Sequence, residues 1–129
     1  MPERPLTARH LTTGRNGEQL AIAELQRRGL RLIERNWRCQ FGELDAVMWD
    51  GEELVFVEVK TRVGTARGTA EESLTTVKAR RLAVAAEWYL ADHSEIDDPI
   101  WRIDLVAITL DRDGRVVRIA HIANAAQFG

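Results

Sequence analysis

The segment Leu54-Val55-Phe56-Val57-Glu58-Val59-Lys60 constrains this chain most. Val55, Val57 and Val59 alternate with Leu54 and Phe56, so both faces are apolar and the segment reads as a strand covered on both sides. An ionised carboxylate and an ammonium in such a strand are costly unless a partner or a metal takes up the charge. Glu58 and Lys60 are therefore expected to belong to a site.

The 129 residues suit one domain with one sizeable core. Residues 1–12, with Pro2 and Pro5 and little periodicity, are expected to form a flexible tail, and 13–129 the single domain. No apolar run reaches the length of about 20 residues that spans a bilayer, and Met1 to Pro5 lacks the apolar core of a signal peptide. Cys39 is the sole cysteine, which excludes an internal disulfide and points to the cytoplasm. His10, His93 and His121 lie far from Cys39 in sequence, which argues against a structural zinc site.

A net charge of −2 is not the overall signature of a nucleic-acid binder, so any such binding needs a local basic patch. Candidates are Arg27-Arg28 with Arg31, Arg35 and Arg38; Arg62 with Arg67; and Lys78 with Arg80-Arg81. Taken singly, most of these read as solvated surface charges.

The spacing predicts a helix from Gly14 to Arg28, with Thr12 or Thr13 as N-cap and Gly29 as stop. Ala21, Ile22 and Leu25 form its apolar stripe. Glu18 lies on that stripe too, although a first-turn glutamate also complements the helix dipole. A strand is expected over 30–38. A hairpin follows, with strands at 43–49 and 53–60 and its turn at Asp50-Gly51. A helix is expected over 71–91, with Leu82, Ala85, Ala86 and Tyr89 on one face and Thr75 and Lys78 extending it. Strands at 101–110 and 115–122 close the chain. The order α-β-β-β-α-β-β, with a helical crossover between residues 60 and 101, implies an α/β fold with a mixed central sheet flanked by helices.

Side chains of like parity share a strand face. A two-residue loop at Asp50-Gly51 pairs Glu43 with Glu58, whereas a four-residue loop from Asp50 to Glu53 pairs Asp45 with Glu58. Both registers put Glu43, Asp45, Glu58 and Lys60 on one face. Opposed carboxylates about 5 Å apart repel in apolar surroundings, and Mg²⁺ or Mn²⁺ resolves the conflict through hard oxygen ligands. Asp45, Glu58 and the Val59 carbonyl are candidate ligands, with Glu18 in reach from the helix. The metal would activate a water and Lys60 would orient it. The bland alternative is an exposed strand face laced with ion pairs.

These residues resemble the PD-(D/E)xK nuclease superfamily. More closely, the chain resembles the YraN-like family of predicted bacterial endonucleases, related in fold to the archaeal Holliday-junction resolvases. The matching stretches are Gly17-Glu18-Gln19-Leu20-Ala21, Asn36-Trp37-Arg38, Gly42-Glu43-Leu44-Asp45, Val57 to Arg62, Lys78 to Leu82 and Arg102 to Val106. Leu44 stands where the superfamily motif carries proline. The resemblance implies a restriction-endonuclease-like α-β-β-β-α-β core. It makes Asp45 and Glu58 metal ligands, Glu18 an auxiliary acid at the metal and Lys60 the catalytic lysine. Arg62, Lys78 and Arg81 would lie near the nucleic-acid backbone, the substrate would be DNA, branched or structured forms included, and a homodimer would follow by analogy with the resolvases.

Asp104 is expected to serve as a structural partner for an arginine, either Arg102 of a neighbouring chain or Arg81. Of Trp37, Trp49, Trp88 and Trp101, at least three are expected in the core. Two other functional classes compete with the nuclease. One is a catalytically silent nucleic-acid-binding or protein-interaction module on the same fold. The other is a hydrolase of small phosphate esters, although the chain has no glycine-rich phosphate loop.

Overall fold

The computed structural model describes residues 15–64, 66, 68–69 and 71–126. The expected tail at 1–12 and the candidate N-caps Thr12 and Thr13 lie outside the described residues. The elements are α1 (Arg15–Arg27), β1 (Arg31–Cys39), β2 (Gly42–Asp50), β3 (Glu53–Val63), α2 (Thr76–Asp92), β4 (Trp101–Leu110) and β5 (Val116–Ile122). The five strands lie in the order β1-β2-β3-β4-β5, with β3 and β4 parallel and the other pairs antiparallel. The chain is thus α/β with a mixed sheet and the α-β-β-β-α-β core. Among the described residues, no helix is long and apolar enough to cross a membrane.

The sheet has a helix on each face. Leu20, Ala21, Ile22 and Leu25 of α1 pack on Ala46, Met48, Val55, Val57, Val106 and Ile108. Leu82, Ala85, Ala86 and Tyr89 of α2 pack on Val47, Leu54, Phe56 and Ile103 across the sheet. This double cover explains why β3 is apolar on both sides. Trp37, Trp49 and Trp101 pack against the α2 layer, whereas Trp88 is exposed.

Two boundaries depart from expectation. The second helix starts later than residue 71: Glu71–Ser73 forms a 3₁₀ turn, and the Thr75 hydroxyl accepts the Lys78 N–H at 3.3 Å as the N-cap of α2. Capping at Thr75 satisfies an orphan donor that a helix continuing from Glu71 would not expose. The β2–β3 turn is also shifted. Asp50 pairs with Glu53, so the loop is Gly51-Glu52, with Gly51 at φ +60°.

Asp104 is fully buried and is held within its own chain. It accepts from Arg102 Nε at 2.9 Å, His121 Nε2 at 2.7 Å and the Asn124 N–H at 2.9 Å. Its arginine is therefore neither Arg81 nor an Arg102 from another chain. Arg102 also bonds Asp50 and Glu53. Burial disfavours its charge, but the hydrogen bonds to Asp104, Asp50 and Glu53 win and raise its pKa. This network ties β4 to the β2–β3 turn and to β5.

Candidate functional site

The site lies where the central hairpin forks. β2 and β3 pair from Asp50↔Glu53 to Ala46↔Val57. Beyond that point Gly42, Glu43 and Leu44 pair with β1, while Glu58 to Val63 pair with β4. At the fork the Val59 N–H donates to Asp45 Oδ2 at 2.7 Å. A carboxylate thus takes the place of the next ladder carbonyl. The register is the one that sets Asp45 opposite Glu58, but the ladder ends one step short of that pair.

Regular alternation also breaks here. Leu44 and Val47, three residues apart, both pack under α2, while Ala46 and Met48 pack under α1. Across from Asp45, between the pairs Arg35↔Ala46 and Trp37↔Leu44, Asn36 adopts φ +53°. Asparagine tolerates this left-handed conformation better than most residues. The acids therefore meet through a strand fork and not through the single regular face that parity suggested.

A cavity of about 530 Å³ opens at the fork, and Glu18, Glu43, Asp45, Glu58, Lys60, Lys78 and Arg81 all contribute to its lining. Glu18, Glu43 and Asp45 each bring a carboxylate oxygen within 4.8 Å of the other two. Glu18 comes from the first turn of α1. It approaches because Gly17 has no side chain: a Cβ there would run into Thr61 Oγ1 on β3. The Asn36 amide, oriented as its partners require, donates to Glu18 Oε1 at 2.6 Å and Glu43 Oε1 at 3.3 Å. Glu58 Oε2 lies 3.4 Å from Lys60 Nζ. Lys78 and Arg81, both on α2, line the same cavity. Arg62 sits farther along β3 and does not line the cavity.

Asp45 is the electrostatic centre. Burial pushes its pKa up to about 8, helped by the hydrogen bond and charge of Glu58 and by the charge of Glu18, against the lowering effect of the Val59 N–H. Converging carboxylates, one of them buried and reluctant to ionise, form a hard-oxygen donor set that fits a divalent cation of the Mg²⁺ or Mn²⁺ type. The set nearest to closure is Glu18, Glu43 and Asp45, with Glu58 shared between Asp45 and Lys60. Glu43 was expected on this face without an assigned role, Asn36 only within a family-like stretch, and Phe41 not at all. The last two each had a signal: an asparagine inside a strand pattern, and an aromatic residue where turn chemistry favours polar ones.

The family profile described as "Uncharacterised protein family UPF0102" matches residues 17–108, a span that holds every residue of the cluster. A UPF0102 protein of Pelotomaculum thermopropionicum is 44% identical over 112 residues, covering 87% of this chain and 92% of that protein. One from Roseiflexus castenholzii is 42% identical over 122 residues, covering 95% and 98% respectively. One from Stutzerimonas stutzeri is 48% identical over 98 residues, covering 76% and 82%. On the profile match and on these relatives, the chain belongs to the UPF0102 family.

Proposed function

We propose that this protein is a Mg²⁺- or Mn²⁺-dependent endonuclease of the PD-(D/E)xK type that hydrolyses phosphodiester bonds in DNA, working in the reducing cytoplasm. The observation that carries the proposal is the convergence of Glu18, Glu43, Asp45, Glu58 and Lys60 on one open cavity that Lys78 and Arg81 also line. A bound divalent ion would supply a Lewis acid that lowers the pKa of a water and offsets charge on the phosphate. In this reading Asp45, Glu18 and Glu43 hold the ion, and Glu58 completes the set. Lys60, 3.4 Å from Glu58, orients the attacking water and meets charge as it builds on the phosphate. Lys78 and Arg81 draw the strand's phosphates across the mouth.

The test is cleavage of single-stranded, duplex and branched DNA by purified protein with Mn²⁺, Mg²⁺ or EDTA. We expect metal-dependent cleavage that Asp45→Asn and Lys60→Ala abolish while both variants stay folded by circular dichroism. Cleavage surviving both substitutions would remove the proposal. One observation favours a second reading, a protein-interaction module without turnover: the net charge of −2, which leaves little non-specific attraction for DNA. That reading predicts no detectable affinity for DNA or RNA at low salt and no cleavage, whereas salt-sensitive binding indifferent to metal would mark a silent nucleic-acid binder.

A further inference from the structure

We propose that Phe41 and Trp88 form a platform on which an unpaired base stacks, so that the preferred substrates carry unpaired nucleotides beside the cut. The inference rests on the nuclease reading and names the substrate class of that site.

Phe41 occupies the β1–β2 turn, next to the closing pair Cys39↔Gly42, and is 44% exposed. Trp88 projects from α2 and is 46% exposed, whereas the other three tryptophans pack against the core. The two rings lie with centroids 5.3 Å apart and planes tilted by 31°. Core packing does not explain this pair, because α2 buries Leu82, Ala85, Ala86 and Tyr89 and not Trp88.

The platform is continuous with the site. Phe41 and Arg81 line both the acidic cavity and a neighbouring groove of about 500 Å³, which Arg80, Val77 and Val84 also border. Arg38 and Asp92 line a depression beside Trp88, and the exposed Arg38 guanidinium also lies 3.4 Å from Glu43. Aromatic rings flanked by arginines complement a nucleic-acid strand in two ways. The cations meet phosphates, and the rings meet base faces. A base inside a duplex has no free face to offer, so the chemistry selects a single strand, a flap or the open arm of a branch.

The test measures affinity of the full chain, in EDTA to prevent cleavage, for a labelled single strand, a forked duplex and a blunt duplex. Fluorescence anisotropy is the readout. Wild type is expected to favour the single strand and the fork. Phe41→Ala and Trp88→Ala should each weaken those two complexes about tenfold, with little effect on the blunt duplex, and Trp88→Phe should largely restore binding. Unchanged affinity, equal losses on all three DNAs, or no wild-type binding would overturn the platform. A change of oligomeric state in either alanine variant, seen by sedimentation, would overturn it too, by giving the surface to a second copy of the chain. The nuclease reading is judged separately by Mn²⁺-dependent cleavage in wild type and Asp45→Asn. Cleavage without ring-dependent binding leaves the site and removes the platform. Ring-dependent binding without cleavage does the reverse.

Discussion

Asp45→Asn should stabilise the metal-free protein, and the gain should grow with pH. An unfolded aspartate releases its proton near 3.8, whereas folded Asp45 keeps it to about 8. Between those values the folded chain holds a proton that the unfolded chain has lost. This contribution to stability is therefore complete below pH 3.8 and declines as pH rises through about 8. Each pH unit in that window is worth ~1.4 kcal/mol for one proton, which sets a ceiling on the order of 5 kcal/mol. Relaxation and water entry reduce such ceilings, so we expect a measured gain of about 2 kcal/mol at pH 8 and close to none at pH 4. Asparagine keeps an acceptor for the Val59 N–H and drops the charge that Glu58 and Glu18 oppose. The assay is urea denaturation in EDTA from pH 4 to 9, where that gain moves the midpoint by roughly 1 M. A difference that does not vary with pH, or a variant weaker than wild type at pH 8, would refute the reasoning. Adding Mn²⁺ at pH 8 should reverse the order. Wild type gains about 2.7 kcal/mol at a hundred times the dissociation constant, and Asp45→Asn gains much less.

Two further substitutions probe the scaffold. Gly17→Ala should destabilise the protein by about 1–3 kcal/mol despite alanine's higher helix propensity, because the new methyl meets Thr61 and tilts Glu18 away; thermal melts and Mn²⁺ titration would both register it. Asp104→Asn should cost about 3 kcal/mol, since it leaves Arg102 and His121 short of the carboxylate that both bond. A neutral result in denaturant would show that Asp50 and Glu53 suffice for Arg102.

Much of the fold was legible because it is written in short-range patterns. The two-sided apolar run of β3 announced a covered strand, the α1 stripe of Ala21, Ile22 and Leu25 is buried as read, and β4 begins and ends where expected. The misses have local causes. The second helix was expected from residue 71, but Glu71–Ser73 forms a 3₁₀ turn and Thr75 caps the helix that follows. Asp50-Gly51 looked like the turn, yet the strands pair one step further, through Asp50 itself. The arginine expected for Asp104 was Arg81 or the Arg102 of a neighbouring chain, but Arg102 of the same strand, two residues away, lies on the same face and reaches it.

From the sequence alone came the helices and strands, two candidate hairpin registers, and the misplaced charge that marked a site. Those are properties of a residue and its near neighbours along the chain. The structure chose the register that sets Asp45 toward Glu58. Only the tertiary structure decided that β2 follows β1 and β3 follows β4 beyond Ala46 and Val57, which opens the fork. It also brought Glu43 to Glu18 and Asp45, and set Phe41 against Trp88. The reason is that alternation tells a side chain which way to point from its own backbone. Which backbone lies opposite depends on hydrogen bonds between strands far apart in sequence, and no local pattern encodes where those bonds stop.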